Sequence, residues 1–98
     1  MSKQFDVGDL ARATATFKDE DDQVVDPANV YFQVKDPVGA LLDYQYGVDA
    51  ELVKESTGVY HVDVSVTMPG EWHYRFYSTG SGQAAIEDVF YGKETHFL

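Results

Sequence analysis

The sequence predicts an all-β protein, a sandwich of two antiparallel sheets with about seven strands. Apolar and polar residues alternate with a period of two in several short runs, as in strands that bury one face. Turn-forming residues separate these runs at intervals of about ten residues. No stretch of useful length has the 3.6-residue periodicity of an amphipathic helix. These three observations favour a sandwich or a barrel over any helical class.

The alternating runs define the predicted strands, in order along the chain. They cover residues 11–17, 30–35, 41–46, 51–54, 59–66, 71–77 and 84–91. The turn between the second and third runs, Asp36-Pro37-Val38-Gly39, has proline at its second place and glycine at its fourth. In the last run the alternation breaks at Glu87 and Asp88, which predicts a bulge or an edge strand with mixed faces.

The segment around Trp72 favours the sandwich. Gly70 stands two residues before Trp72, and Tyr74 follows two residues later, so both aromatic rings point to the predicted core. Immunoglobulin-like domains begin strand F in this way, with an aromatic residue at the corner. Residues 57–60 repeat the pattern of a glycine before an aromatic residue. We therefore predict an immunoglobulin-like antiparallel sandwich, with residues 59–66 as strand E and 71–77 as strand F.

Length and composition predict one domain with one core. The chain has 98 residues, 44% of them hydrophobic and 14% aromatic. We assign residues 1–98 to this domain, with 92–98 as candidates for a flexible C-terminal tail. The chain has no cysteine, which excludes disulfides, zinc–thiolate sites and thiol nucleophiles. The aromatic residues on the predicted inward faces are Phe17, Phe32, Tyr44, Tyr60, Trp72, Tyr74 and Phe76.

The charge balance argues against nucleic acid and anionic membranes as partners. Seventeen acidic and seven basic side chains give a formal net charge of −10. The N-terminal residues contain no apolar core of a signal peptide, and no apolar run approaches the length that spans a bilayer. We expect a soluble protein that is made in the cytoplasm.

The candidate metal ligands are the carboxylates of the turn after the first predicted strand. Asp19, Asp21, Asp22 and Asp26 could supply oxygen ligands to calcium, but their spacing does not match an EF-hand loop. A solvated hairpin explains them more simply. His61 and His73 are predicted on the outward faces of opposite sheets, where they cannot share one ion. No catalytic motif is present, so we predict a non-catalytic protein without a cofactor.

The candidate binding residues lie on the predicted outward faces of the runs 30–35 and 71–77, which correspond to strands C and F; the run 84–91 corresponds to strand G, and these three strands share a sheet in an immunoglobulin-like domain. If these strands are neighbours, the outward face of their sheet carries Tyr31, Gln33, Lys35, His73, Arg75 and Tyr77. Exposed tyrosine with arginine is typical of a contact surface, although ordinary cross-strand pairs have the same composition. Phe97 and Leu98 are two apolar residues in the predicted tail. The alternatives for them are a frayed end, a segment folded back on the domain, and a strand added to a neighbour's sheet edge.

The order of several motifs over nearly the whole chain resembles that of short immunoglobulin-like proteins of tailed bacteriophages and prophages. The motifs are residues 5–9, 24–27, 36–39, 46–47, 53–60, 69–75 and 80–85. Proteins of this group are usually encoded among head and head–tail genes. The chain departs from the group at the acidic turn 21–23, where a glycine is expected, and in its aromatic-rich tail.

The resemblance implies a virion structural or accessory protein, in capsid decoration or in the head–tail region. Such a protein would be located in the virion and would bind capsid or connector proteins, or itself as a homo-oligomer. The alternative is a carbohydrate-binding or adhesion-type recognition module, in which Tyr31 and Tyr77 would stack on sugar rings.

Overall fold

A computed structural model describes residues 3–80 and 85–94, and these residues form eight β-strands. No helix capable of crossing a membrane occurs in this part of the chain. The strands are β1 (Lys3–Asp6), β2 (Leu10–Thr16), β3 (Asn29–Lys35), β4 (Leu41–Gln45), β5 (Leu52–Ser56), β6 (Val59–Ser65), β7 (Gly70–Thr79) and β8 (Ala85–Lys93).

Two sheets pack face to face, which confirms the predicted all-β sandwich. One sheet has the strand order β1-β8-β7-β3-β4, and the other has the order β2-β6-β5. Strands β6 and β7 lie in opposite sheets, as expected for the runs 59–66 and 71–77. All neighbouring strands are antiparallel except β1 and β8, which run parallel.

The expected number of about seven strands is wrong, because β1 adds an eighth among the described residues. The seven predicted segments match β2 to β8. Strand β1 is only four residues long and has no buried residue. Its strand conformation comes from pairing with β8, from Lys3 opposite Phe90 to Asp6 opposite Lys93. Local periodicity could not reveal such a strand, because its hydrogen-bonding partner is far away in the sequence.

The core lies between the two sheets and consists of the inward residues of both. Aromatic rings make up much of it: Trp72 stacks on Phe90 with centroids 5.5 Å apart, and Phe32 packs on Phe76 at 4.8 Å. The predicted core aromatics are buried except Tyr44, which is only partly buried beside the core. Tyr44 lies on β4, the edge strand of the larger sheet, and the smaller sheet does not fully cover it.

The corner before β7 is fixed by its aromatic residue. Trp72 donates its indole N–H to the carbonyl oxygen of Met68, 3.2 Å away. This bond ties the start of β7 to the turn that precedes it.

Strand β8 keeps an unbroken register with β7, so the bulge considered at Glu87 and Asp88 is absent there. The expected mixed faces are present, but the expectation of an edge strand is wrong, because β8 lies between β1 and β7. Asp88 stands opposite the inward residue Tyr74 and accepts a hydrogen bond from its phenol at 3.4 Å. Burial, followed by the charge of Asp88, raises the pKa of Tyr74 to about 12. The register shift in this fold lies in β5 instead, between Lys54 and Ser56.

Strand β8 also extends into the segment that was expected to be a tail. Gly92 and Lys93 pair with Phe5 and Asp6 of β1, so residues 92 and 93 belong to the sheet. The interface candidates Phe97 and Leu98 lie outside the described residues.

Candidate interaction surface

The predicted binding residues lie together on the outer face of the five-stranded sheet. Strands β3 and β7 are neighbours, and their register places three pairs of side chains directly opposite each other. The pairs are Tyr31 with Tyr77, Gln33 with Arg75, and Lys35 with His73. We call these six residues the tyrosine–arginine face. The prediction that they share one face is confirmed.

Tyr31 and Tyr77 form one end of the tyrosine–arginine face. Their rings stack with centroids 4.9 Å apart and an interplanar angle of 17°. The guanidinium carbon of Arg75 lies 4.7 Å from the centroid of the Tyr77 ring, within cation–π range. Arg75 and Tyr77 are two residues apart on β7, and side chains two apart on a strand point to the same side. The three side chains therefore form one packed group on the sheet surface.

Gln33 orients the guanidinium of Arg75 from the neighbouring strand. Arg75 Nε donates to Gln33 Oε1 across 2.6 Å. This acceptor is neutral, so the bond fixes the guanidinium without neutralising its charge. In the described parts of the chain, Arg12, Lys18 and Lys54 form ion pairs with carboxylates, whereas no such pair involves Arg75 or Lys35. The tyrosine–arginine face therefore holds two cations that are free of intramolecular ion pairs within the described chain.

Acidic residues flank these cations rather than neutralising them. His73 Nε2 lies 2.5 Å from Oε1 of Glu71 on the same strand. The register places Glu87 of β8 opposite Arg75, and Asp43 of β4 opposite Gln33. Four neighbouring strands therefore carry one row of side chains, in the order Glu87, Arg75, Gln33 and Asp43. The row has a carboxylate at each end and the Arg75 guanidinium between them. Glu87 and Asp43 were missed at the sequence level, because only the strand pairing places them in this row.

Two shallow hollows lie on this outer face. The first is lined by Gln33, Lys35, His73, Tyr74, Arg75 and Glu87. The second lies toward β4 and is lined by Tyr31, Gln33, Asp43, Tyr44, Gln45, Asp49 and Tyr77. Both hollows are open to solvent, and charged and amide side chains line each of them, so they suit a partner's protruding side chains better than an enclosed small molecule.

The structure does not bring the candidate calcium ligands together. Asp19 accepts hydrogen bonds from the backbone N–H groups of Asp21 and Gln23, at 2.9 and 3.0 Å, and so closes its own turn. Asp22 pairs with Lys18 at 3.5 Å, and Asp26 bonds Lys54 at 2.7 Å. Within residues 3–80 and 85–94, no three acidic or histidine side chains are placed to hold a metal ion. In the described structure, Asp19 serves a turn, and Asp22 and Asp26 serve ion pairs.

His61 differs from the expected surface histidine. It does lie in the sheet opposite to that of His73, as predicted. However, only 9% of His61 is exposed. Its Nδ1 lies 3.2 Å from Oε1 of Glu55, but this buried nitrogen makes no hydrogen bond in the described structure. Its neighbours on β2 and β5, Thr14 and Val53, flank it in the sheet, so an outward position did not mean exposure.

No protein-family model matches this chain, and no curated protein matches it.

Proposed function

We propose that the chain is a non-catalytic protein-binding domain that serves as a structural or accessory protein of a bacteriophage virion. Capsid decoration and the head–tail region are the two places proposed for it, and capsid or connector proteins are its partners. The observation that carries the proposal is the tyrosine–arginine face. On a chain of net charge −10, this face presents a packed pair of tyrosines and two cations without an intramolecular ion pair in the described chain.

The fold proposed with this function is an immunoglobulin-like sandwich. In its favour, β2-β6-β5 corresponds to strands B, E and D, and β8-β7-β3-β4 corresponds to strands G, F, C and C′. The hydrogen bond from Trp72 to Met68 at the start of β7 agrees with this assignment. Strand β1 pairs with β8 rather than with β2, so the first strand lies on the larger sheet.

Physical properties of the tyrosine–arginine face suit it to protein binding. Tyrosine and arginine are enriched among the residues that dominate binding energy. Tyrosine buries a large area and loses little side-chain entropy. Gln33 and Tyr77 already restrain the Arg75 side chain, which lowers the entropy cost of docking further. A carboxylate of the partner would give Arg75 the charged acceptor that Gln33 does not provide.

The second candidate is the carbohydrate-binding or adhesion-type recognition module. The observation in its favour is the hollow that combines Tyr31 and Tyr77 with the amides and carboxylates of Gln33, Gln45 and Asp43. Sugar rings need an aromatic surface with polar groups around it. Tyr31 and Tyr77 stack on each other, however, which covers part of the ring area that a sugar would contact. A glycan array without binding would remove this candidate.

The experiment that tests the virion proposal is mass spectrometry of density-purified particles from the source lysate. We expect the chain in the particle fraction, and its abundance relative to the major capsid protein separates decoration from a connector position. Recovery only in the particle-free fraction would overturn the proposal.

Variants test the docking face itself. Arg75→Ala combined with Tyr77→Ala should reduce incorporation into particles. Arg12→Ala is the matched control, since Arg12 is also an exposed arginine but pairs with Asp63 on the other sheet. Full incorporation of the double variant would exclude this face as the docking surface.

A further inference from the structure

The two sheets leave an apolar groove open along one side of the sandwich. Strand β5 pairs with β6 only as far as Leu52 opposite Val62, whereas β6 continues to Ser65. The larger sheet, by contrast, extends to β4 on this side. The groove between them is lined by the apolar side chains of Val34, Leu42, Val64 and Trp72. Leu42 stands opposite the buried Val34, yet 52% of it is exposed, so its apolar surface is uncovered.

One wall of the groove is a free strand edge. Val66 accepts a hydrogen bond from Gly8 N–H at 2.8 Å and donates one to the carbonyl of Asp9 at 3.0 Å, on the β2 side. Hydrogen-bonding direction alternates along an antiparallel strand, so Ser65, which lies beyond the end of β5, directs its backbone groups to the opposite side, toward the groove. In the described chain, no strand pairs with Ser65 on that side. The groove thus combines apolar side chains with backbone groups ready for strand addition.

We propose that this groove binds residues 95–98 of a second copy of the chain. The composition of the segment Thr95-His96-Phe97-Leu98 suits an apolar groove with a free strand edge, because two large apolar residues follow two polar ones. The segment would pair with the backbone of Ser65 and place the Phe97 ring against the exposed side chain of Leu42. The backbone bonds would supply pairing, and the ring would cover the exposed apolar surface.

Distance favours a second copy over the same chain. Leu42 pairs with Val34, Val34 with Tyr74, and Tyr74 with Asp88, which places Leu42 three strand spacings from β8. Glu94 lies six residues beyond Asp88, so the separation of Glu94 from Leu42 is roughly 24 Å at the usual strand spacing and rise. The three residues from Glu94 to Phe97 span at most about 10 Å. A chain therefore cannot place its own Phe97 beside its own Leu42, whereas a neighbouring copy can.

The test measures the molar mass in solution by light scattering during gel filtration. The wild-type protein is expected to be heavier than the 11.0 kDa monomer. Leu42→Asp, which places a charge in the groove, and Phe97→Asp, which removes the inserted ring, should each give a monomer. Val48→Asp is the control, because Val48 is an apolar residue that is 73% exposed and lies outside the groove. It should keep the wild-type mass.

Mixing the two monomeric variants makes the test specific. Leu42→Asp retains the segment and Phe97→Asp retains the groove, so the mixture should form a heterodimer with one engaged segment. A monomeric wild type, or a mixture that stays monomeric, would overturn the proposal. Circular dichroism verifies folding, and Leu42→Gln replaces Leu42→Asp if the latter unfolds. Because neither Leu42 nor Phe97 is one of the six residues of the tyrosine–arginine face, this test and the virion test can fail separately.

Discussion

The carboxylate of Asp26 accepts a hydrogen bond from the backbone N–H of Gly58 at 2.7 Å, 32 residues further along the chain. The same oxygen accepts from the phenol of Tyr60 at 3.2 Å, and the other oxygen binds Lys54 Nζ at 2.7 Å. Asp26 lies in the connection between β2 and β3, which belong to different sheets. This side chain therefore ties the crossover between the sheets to the β5–β6 hairpin.

The hydrogen bonds accepted by the Asp26 carboxylate predict that the protein loses stability in acid. The hydrogen bond from Lys54, followed by that from Gly58, holds the pKa of Asp26 below its ordinary value of 3.8. Since the folded pKa is depressed, the stabilisation is complete above the unfolded pKa and is lost as the pH falls through the folded pKa. We expect Asp26→Asn to lower the melting temperature at neutral pH, and the difference from wild type to shrink at about pH 2 to 3.

Asp43→Asn is the control for this experiment. Asp43 lies on the exposed edge strand and makes no side-chain hydrogen bond or ion pair with the described residues. Its melting curve should follow that of the wild type at both pH values. If the melting temperatures of wild type and Asp26→Asn differ as much in acid as at neutral pH, the charge of Asp26 is not the stabilising feature.

The surroundings of Gly58 predict that one added methyl group strongly lowers the free energy of unfolding. Its φ is +74°, and a Cβ there would overlap Val24 and approach the carbonyl oxygens of Val25 and Phe17 to within 3 Å. Gly58→Ala should therefore destabilise the fold by about 3 kcal/mol or more, from backbone strain and overpacking together. Urea denaturation measures the free energy of unfolding.

Gly47→Ala separates these two causes. Gly47 has a similar φ of +87°, but a Cβ there meets no atom within 4 Å. The free energy of unfolding of this variant should fall only by the cost of backbone strain, about 1 to 2 kcal/mol. Equal losses for both alanine variants would mean that the crowding at Gly58 relaxes at no cost.

Trp72→Phe tests the corner hydrogen bond. The substitution removes the donor to the Met68 carbonyl and leaves a small void beside Phe90. We expect a loss of about 2 to 4 kcal/mol in the free energy of unfolding, from the unpaired acceptor and the lost packing. Tyr74→Phe is the comparison, because it removes a longer bond of 3.4 Å to the exposed Asp88 and should cost about 1 kcal/mol or less. The reverse order of the two losses would contradict the role of Trp72.

Calcium should not stabilise the protein. Asp19 and Asp26 already accept hydrogen bonds at the β2–β3 connection, and Asp22 pairs with Lys18. Calcium needs six to eight oxygen ligands around one point. Melting temperatures in millimolar calcium and in chelator are expected to agree. A clear rise with calcium would show that the connection rearranges around an ion.

The sequence predicted the tyrosine–arginine face well because two regular patterns determine it. Alternation in β3 and β7 assigns Tyr31, Arg75 and Tyr77 to outward positions, and neighbouring strands then place them on one surface. The flanking Asp43 and Glu87 could not be predicted, since their positions depend on the register of β4 and β8. The groove beside Leu42 was also missed. It arises because β5 is shorter than the part of β6 that it could cover, and no local pattern encodes that difference.

By itself the sequence determined the all-β class, seven of the eight described strands and most of the core, because alternation and turn residues are local signals of strands with one buried face. Only the tertiary structure decided the rest. Strand β1 exists through its pairing with β8, His61 is covered by neighbouring strands, and the acidic residues after β2 are divided among separate partners. The physical reason is the same in each case: these features depend on contacts between residues far apart in the chain, and such contacts form only when the two sheets assemble.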